Sequence, residues 1–277
     1  MKYLQTGNFF GQTNRTISFE GITLTDTEYT HDYVDWHYHE NAYFTFILEG
    51  QVIEGNKKEK LHCPAGTLLF HCWQDPHYNI KPRGYTRGFH VEIERSWFER
   101  FSLKELQGSF RIDHPDIKLI FHRLLSESLI NDKEQELSVF SNLVQVLSSM
   151  LNLIQEDSGK NPFWVRKARE LIHETVLTNM TLSDLATELN IHPVHLCRQF
   201  PKYFKCNFGE YVRRLKVEKA LTLLHNPEFP LTEIAIDCGF SDQSHFIRCF
   251  KEITNDTPLQ YRKTIFGRRS QLKAPHR

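Results

Sequence analysis

The sequence predicts an α+β chain of more than one domain, with a β-barrel or sandwich at the N-terminus, a helical segment after it, and an all-α C-terminal third. Three observations predict it. Residues 1–100 are rich in aromatic and β-branched residues, with turn residues at short intervals. From residue 115 the apolar period lengthens from that of a strand to that of a helix. The charge also divides. Residues 1–160 hold 16 Lys+Arg against 22 Asp+Glu, a net of −6; the chain totals of 34 and 34 leave 18 against 12 for residues 161–277, a net of +6. A length of 277 residues fits two domains better than one, and a basic half is the electrostatic footprint of a polyanionic partner.

In chain order, Tyr43-Phe44-Thr45-Phe46-Ile47-Leu48 reads as a strand closed by Gly50. Pro64-Ala65-Gly66 turns the chain into Thr67-Leu68-Leu69-Phe70, and Gly88-Phe89-His90-Val91-Glu92-Ile93 is a further short strand. Ile117, Ile120, Phe121, Leu124 and Leu125 then fall on one helical face. Leu137, Phe140, Val144, Leu147, Leu151 and Ile154 recur in alternating steps of three and four, a heptad-like stripe that either packs on the helix's own domain or, as the sharper expectation, forms the seam of a dimer. Residues 156–162 have linker composition, so domains are expected over 1–157 and 163–270. Beyond the linker, Val165, Ala168, Leu171, Ile172 and Val176 form an apolar stripe. Tyr211, Leu215, Ala220, Leu223 and Leu224 mark a long middle helix that ends at Asn226-Pro227.

The C-terminal half repeats itself with a period of about fifty residues. One copy runs from Leu182 through Ala186, Asn190, Ile191 and Pro193 to Phe200. The other runs from Leu231 through Ala235, Gly239, Phe240 and Ser241 to Phe250. In each, a small residue lets a second helix cross closely, and Asn190 or Gly239 suits a left-handed turn. Pro193 stands at a first helical position and Ser241 at an N-cap. Leu196 and Phe200, or Phe246 and Phe250, then face inward four residues apart. This is the helix-turn-helix plan, made twice.

The pair resembles the DNA-binding domain of the AraC/XylS family of transcription regulators over about residues 163–265. The closest agreement runs from Ile234-Ala235 through Gly239-Phe240-Ser241-Asp242-Gln243-Ser244-His245-Phe246-Ile247-Arg248-Cys249-Phe250-Lys251 and then Thr257-Pro258-Leu259-Gln260-Tyr261-Arg262. The resemblance implies base-edge contacts from Val194, His195, Cys197 and Arg198, and from Gln243, Ser244, His245 and Arg248. Arginine suits guanine and glutamine suits adenine. The first copy departs from the pattern. Pro201 is expected to end or kink its second helix, at about 3 kcal/mol. Lys205 and Phe208 replace a common glycine and a common proline. Arg213, Arg214 and Lys216 on the middle helix are expected to face solvent or phosphate.

His37-Tyr38-His39, Tyr43, Gly50 and Pro64-x-Gly66 resemble a cupin barrel over residues 15–95, which such regulators carry as an effector domain. That implies a small-molecule site at His37, His39, Tyr43, Trp73 and His77. Trp36, Tyr38 and Tyr78 supply further aromatic surface nearby. Metal-binding cupins add a glutamate where Tyr43 stands; three histidines can still hold zinc or iron, but the expectation is that they line the barrel with neither metal nor cofactor. The expected function is therefore sequence-specific transcription regulation, as an activator responding to a small-molecule effector. The expected partners are double-stranded promoter or operator DNA, a second copy of the chain, and RNA polymerase. The alternative is a metal-dependent cupin enzyme fused to a helical domain; the missing glutamate and the repeat argue for a protein that is not an enzyme. No run approaches the roughly 20 apolar residues of a membrane span. Six scattered cysteines, with no C-x-x-C pair, fit reduced thiols in the cytoplasm.

Overall fold

The computed structural model describes residues 1–100, 108–130, 133–157, 162–175 and 180–272. Two compact units emerge, one built mainly from Met1–His114 and Phe121–Val139, the other from Pro115–Ile120 and Phe140–Gly267. The first holds strands β1 (Lys2–Leu4), β2 (Gln12–Phe19), β3 (Ile22–Glu28), β4 (Tyr33–His39), β5 (Ala42–Glu49), β6 (Gln51–Gly55), β7 (Lys60–Pro64), β8 (Leu68–His71), β9 (His77–Ile80) and β10 (Arg87–Ile93). Helix α1 (Arg95–Arg100) and a short β11 (Phe110–Arg111) follow.

The strands form a five-stranded sheet in the order β1-β4-β9-β6-β7 and a six-stranded sheet in the order β11-β8-β5-β10-β3-β2. The predicted β-rich unit is thus present as two facing sheets, and among the described residues no ladder closes them into a continuous barrel. Alternation decides what lies between them. On β4 the alternation changes phase at a register shift between Val34 and His37, so Val34 is buried before it and His37 and His39 after it, while Tyr33 and Asp35 face water. Phe44, Phe46 and Phe70 fill the other side of the six-stranded sheet, and Phe44 and Phe46 meet Phe121 at 5.1 and 6.0 Å between centroids. Phe121 lies on α2 (Pro115–Ser128), which starts with proline at its first turn.

Helix α3 (Gln135–Asp157) carries the predicted seam, and the structure divides it. Leu147 is buried, together with Val139, Leu143, Val146 and Met150. Leu137 and Val144 are exposed at 72% and 42%, and Phe140 and Leu151 are half-buried. Among the described residues of the stripe, Leu137 and Val144 face outward and Phe140 and Leu151 do so in part. The Leu147 row packs inside its own chain, because a helix that covers a core must give one apolar face to it. Ile154 lies outside the residues whose side chains are described, as do Val176 and residues 158–161 of the linker.

The second unit is helical: α4 (Phe163–Thr175), α5 (Leu182–Glu188), α6 (Pro193–Phe204), α7 (Phe208–Leu223), α8 (Leu231–Asp237), α9 (Gln243–Thr254) and α10 (Pro258–Leu272). Val165, Ala168, Ile172, Leu185, Ala186, Leu196, Phe200, Phe204, Tyr211 and Leu215 form the core around α5 and α6. Around α8 and α9, Ile234, Ala235, Phe246, Phe250, Tyr261 and Ile265 are buried in turn.

Candidate nucleic-acid interface and effector pocket

The two helix-turn-helix units share their turn chemistry bond for bond. Asn190 and Gly239 take φ of +55° and +72°. The residues after them, Ile191 and Phe240, donate their N–H groups to Ala186 and Ala235 carbonyls, both at 2.9 Å. Asn190 and Gly239 donate to Thr187 and Ile236 carbonyls at 3.0 and 2.8 Å. This paired bonding ends a helix on a left-handed residue and satisfies its last carbonyls. A lysine from the preceding helix reinforces each turn. Lys167 on α4 donates to the Glu188 carbonyl at 3.2 Å, and Lys219 on α7 donates to the Asp237 carbonyl at 3.0 Å. Lys216 donates to the Gly239 carbonyl and lies 5.8 Å from the Phe240 ring centre.

Three expectations are corrected. Lys216 and Arg214 are engaged within the protein, the first by Gly239, the second by Asp116 at 2.8 Å and by Glu210. The N-cap of α9 is Asp242, whose carboxylate accepts from the His245 N–H at 2.7 Å; Ser241 bonds instead to Asp242 and to His245 Nδ1. Finally, α6 continues through Pro201 to Phe204. Pro201 falls in the last turns, where it removes one bond to an exposed residue, Cys197, while its own carbonyl still accepts from Lys205 N–H at 3.0 Å. Lys205 then takes φ +59°, matching Asn255 at +61° in the other unit.

The residues expected to contact DNA lie on α6 and α9. Val194, His195, Cys197 and Arg198 are exposed, as are Ser244 and Arg248; Gln243 and His245 are half-buried. His245 is partly committed inward, edge-on to Phe240 at 5.5 Å. Arg198 and Arg248 make no ion pair or hydrogen bond with another described residue. Both sit two residues after an inward anchor, Leu196 or Phe246, and two before another, Phe200 or Phe250. At about 100° per residue this points them away from the core.

Between the two sheets lies a cavity of about 50 Å³ lined by imidazoles, among them His37, His39, His77 and His90, with Tyr29, Tyr43 and Glu54. The ladders assemble it. His37 on β4 pairs with His77 on β9, Tyr43 on β5 with His71 on β8, and Thr45 with His90 on β10. The Tyr43 and His71 rings stack at 4.3 Å, and Tyr43 Oη lies 2.9 Å from His77 Nε2. Phe9, from the loop after β1, stacks on His90 at 3.6 Å and stands 4.9 Å from His39. Burial holds the imidazoles neutral: His77 and His90 are lowered to about 3, and His39 and His71 well below their ordinary range. Burial also raises the Glu54 and Glu92 carboxyls to about 8 and about 7, and the Tyr43 phenol well above its usual value.

Four of the five predicted effector residues, His37, His39, Tyr43 and His77, meet at this cavity. Trp73 does not line it; its ring packs edge-on against Phe98 at 5.5 Å, under the Arg95 guanidinium. Trp36 and Tyr78 pack on each other at 5.1 Å. The motifs do not point to Phe9 and His90, which line the cavity, or to His71 and Glu92, which lie beside Tyr43 and His39. Alternation in Gly88–Ile93 carried a signal, since His90 and Glu92 share one strand face and both are buried. His37, His39 and His77 each offer a nitrogen within 4.8 Å of the others, the arrangement that can hold a metal ion.

The family described as "Helix-turn-helix domain" matches residues 185–264, from within α5 to α10. The chain is 26% identical over 135 residues to the Msm operon regulatory protein of Streptococcus mutans, covering 47% of this chain and 49% of that protein, so it spans about half of that relative's length. It is 24% identical over 227 residues to YijO, an HTH-type transcriptional regulator of Escherichia coli, covering 78% and 79%. Among solved structures it is similar to the C-terminal domain of AraT, a response regulator from Geobacillus stearothermophilus, at 33% identity over 38% of this chain and 88% of that one, with a TM-score of 0.36. Two helix-turn-helix units of matching turn geometry, joined through α7, span the residues that the family matches, and the relatives are named as transcription regulators, so the chain carries a helix-turn-helix domain of the AraC type.

Proposed function

We propose that the chain regulates transcription by binding operator DNA through α6 and α9 and by sensing a small-molecule effector in the cavity of its β-rich unit. Residues 1–157 then serve as the effector-binding and dimerisation domain and residues 163–270 as the DNA-binding domain. One observation carries the reading: two turns of the same geometry each present an exposed arginine, Arg198 and Arg248, at the same offset from buried anchors. The two helices enter successive major grooves on one face of the duplex, about 34 Å apart. The chain acts in the cytoplasm and meets RNA polymerase there as an activator. No described helix is long and apolar enough to cross a membrane. The protein performs no catalysis; its cavity groups serve binding.

Binding of the full chain to operator fragments tests the reading. The logarithm of the affinity is expected to fall linearly with the logarithm of salt concentration as phosphate contacts release counterions. Binding that ignores salt, or no preference for any site in a genome-wide pull-down, overturns it. A ligand that enters the cavity is expected to raise the melting temperature in proportion to its occupancy.

Dimerisation has its own test. The exposed row on α3 makes Val144→Asp the informative change, since Leu147 is needed inside. Val144→Asp is expected to convert the dimer to monomer in sedimentation while the melting temperature holds, because a surface change usually costs within about 0.5 kcal/mol. A variant that remains dimeric shows that this row is not the seam.

A further inference from the structure

We propose that His173 and His225 are positioning residues for operator recognition: each acts through a tyrosine on the buried anchor of one recognition helix and fixes the angle at which that helix meets DNA. The inference rests on the reading of α6 and α9 as recognition helices, and it adds residues that touch no DNA.

The same three-residue contact is made twice. His173 stands in the last turn of α4, and its Nε2 lies 3.3 Å from Tyr211 Oη in the first turn of α7. His225 stands just past the end of α7, and its Nε2 lies 3.3 Å from Tyr261 Oη in the first turn of α10. Ring centres are 6.3 Å apart at 64° in the first pair and 6.2 Å apart at 70° in the second. Each tyrosine also meets the last inward anchor of a recognition helix edge-on. Tyr211 meets Phe200 at 6.0 Å and 71°, and Tyr261 meets Phe250 at 6.1 Å and 66°.

The sequence keeps the two contacts in register. His173 and His225 are 52 residues apart, as are Lys167 and Lys219, the lysines that reinforce the turns. Tyr211 and Tyr261 are 50 apart, as are Phe200 and Phe250, and Arg198 and Arg248. The clasp therefore repeats with the arginines that face DNA. Helix α7 carries Tyr211 near its start and has His225 just beyond its end, so one helix takes part in both clasps and refers both recognition helices to a common frame.

Stability alone does not ask for these pairs. Tyr211, Tyr261 and His225 are 2%, 4% and 1% exposed. A phenol and an imidazole buried together give up water for their hydrogen bond, and two apolar side chains of the same shape would hold the core as well. What the bond adds is direction. Apolar contacts tolerate sliding, whereas a hydrogen bond weakens steeply off its line, and a satisfied buried polar pair holds one arrangement of the elements around it. Direction matters at this place. Arg198 and Arg248 lie two residues before Phe200 and Phe250, on the opposite side of each helix. An arginine reads guanine through two parallel hydrogen bonds, which only a narrow range of helix tilt permits.

The two units lean on their clasps unequally. Helix α6 meets Tyr211 through two rings, Phe200 and Phe204, the latter at 5.0 Å. Among the described ring contacts, α9 meets Tyr261 through Phe250 alone. Loss of the second clasp is therefore the more costly.

The test uses the full chain and, as probe, the duplex that it selects from a random-sequence library. Tyr261→Phe keeps the ring on Phe250 and removes only the hydroxyl. Tyr261→Phe and His225→Leu are each expected to weaken binding to the selected duplex about three- to tenfold, the worth of one hydrogen bond. Binding to random duplex should hold, and the lost preference should be confined to the base pairs read from α9. Both changes delete one bond, so the double variant should bind no worse than the weaker single variant. His225→Gln, whose amide nitrogen reaches the place of Nε2, should recover most of the loss. Tyr211→Phe should act on the base pairs read from α6, and less strongly. Tyr261→Phe that binds as the parent does, a loss shared equally by random duplex, losses that multiply in the double variant, or His225→Gln as weak as His225→Leu overturns the inference. If His225→Leu does not fold, Tyr261→Phe and His225→Gln decide. If the parent selects no sequence, the functional reading fails and the inference with it. If the parent selects a duplex that Tyr261→Phe binds equally well, the regulator stands and the clasp falls.

Discussion

Replacing Arg198 and Arg248 together with alanine is expected to lower affinity for the operator by about 2–6 kcal/mol, roughly 30-fold to 10⁴-fold, while affinity for random duplex falls far less. Each arginine that reads a base edge contributes about 1–3 kcal/mol of discrimination. The two stand on different recognition helices, α6 and α9, and distant sites without shared partners add. Folding should not change. Both side chains are exposed and neither bonds to another described residue, so the melting temperature should match the parent's. Each single variant should relax preference at one base pair only, and the two positions should lie about one helical turn apart. The rival is phosphate contact. It predicts that all sequences weaken alike and that the salt slope shrinks by about one unit per arginine. Measurements on matched and mutated operators at two salt concentrations separate these results. A double variant that binds like the parent at every salt would show that neither helix enters a groove.

Much of this interface was legible in the sequence because its constraints are local. Asn190 and Gly239 announce left-handed turns, and Phe246 with Phe250 announces a buried stripe, since each is fixed by residues within five positions. What failed there failed locally too. Ser241 and Asp242 are both good N-caps, and only the extended backbone of Asp242, at φ −162° and ψ 170°, decides between them. Pro201 reads as a helix end in the sequence, but it falls one turn before α6 stops at Phe204, where a missing bond costs little.

The cavity was harder to read, because register across strands builds it. His37 and His39 share a face by alternation, which one strand reveals. That His77 lies opposite His37, and His71 opposite Tyr43, depends on how β4, β5, β8 and β9 pair, and no single strand states that. Trp73 has the chemistry of a site residue and is near the site in sequence, but it lies just beyond the end of β8, where its ring turns to Phe98. The seam on α3 is a mixed case. A period of 3.5 is visible in sequence, but which of its two rows faces the chain's own core depends on what the helix covers.

Asp26→Ala is expected to destabilise the β-rich unit by about 3–5 kcal/mol, lowering its melting temperature on the order of 10 °C. Asp26 on β3 grips Arg87 on β10 with both oxygens, at 2.8 Å to Nε and 2.6 Å to Nη2, and Glu49 on β5 adds a contact at 3.3 Å. Arg87 is 2% exposed, so its charge has almost no water to fall back on. Burial alone would lower the pKa of the guanidinium; the hydrogen bonds and charge of Asp26, with Glu49, more than offset it and raise it. Removing Asp26 leaves that charge with one partner in place of two, and the loss is dominated by the stranded ion rather than by the missing bond. This makes a sharp comparison possible. Replacing all three residues with apolar side chains of similar volume should cost far less than Asp26→Ala, because no charge is left behind. Chemical denaturation of the parent, the single variant and the triple variant provides the check. A triple variant as unstable as Asp26→Ala would mean that the three charges hold β3, β5 and β10 together by something an apolar core cannot replace, such as the pairing register that sets His90 beside the cavity.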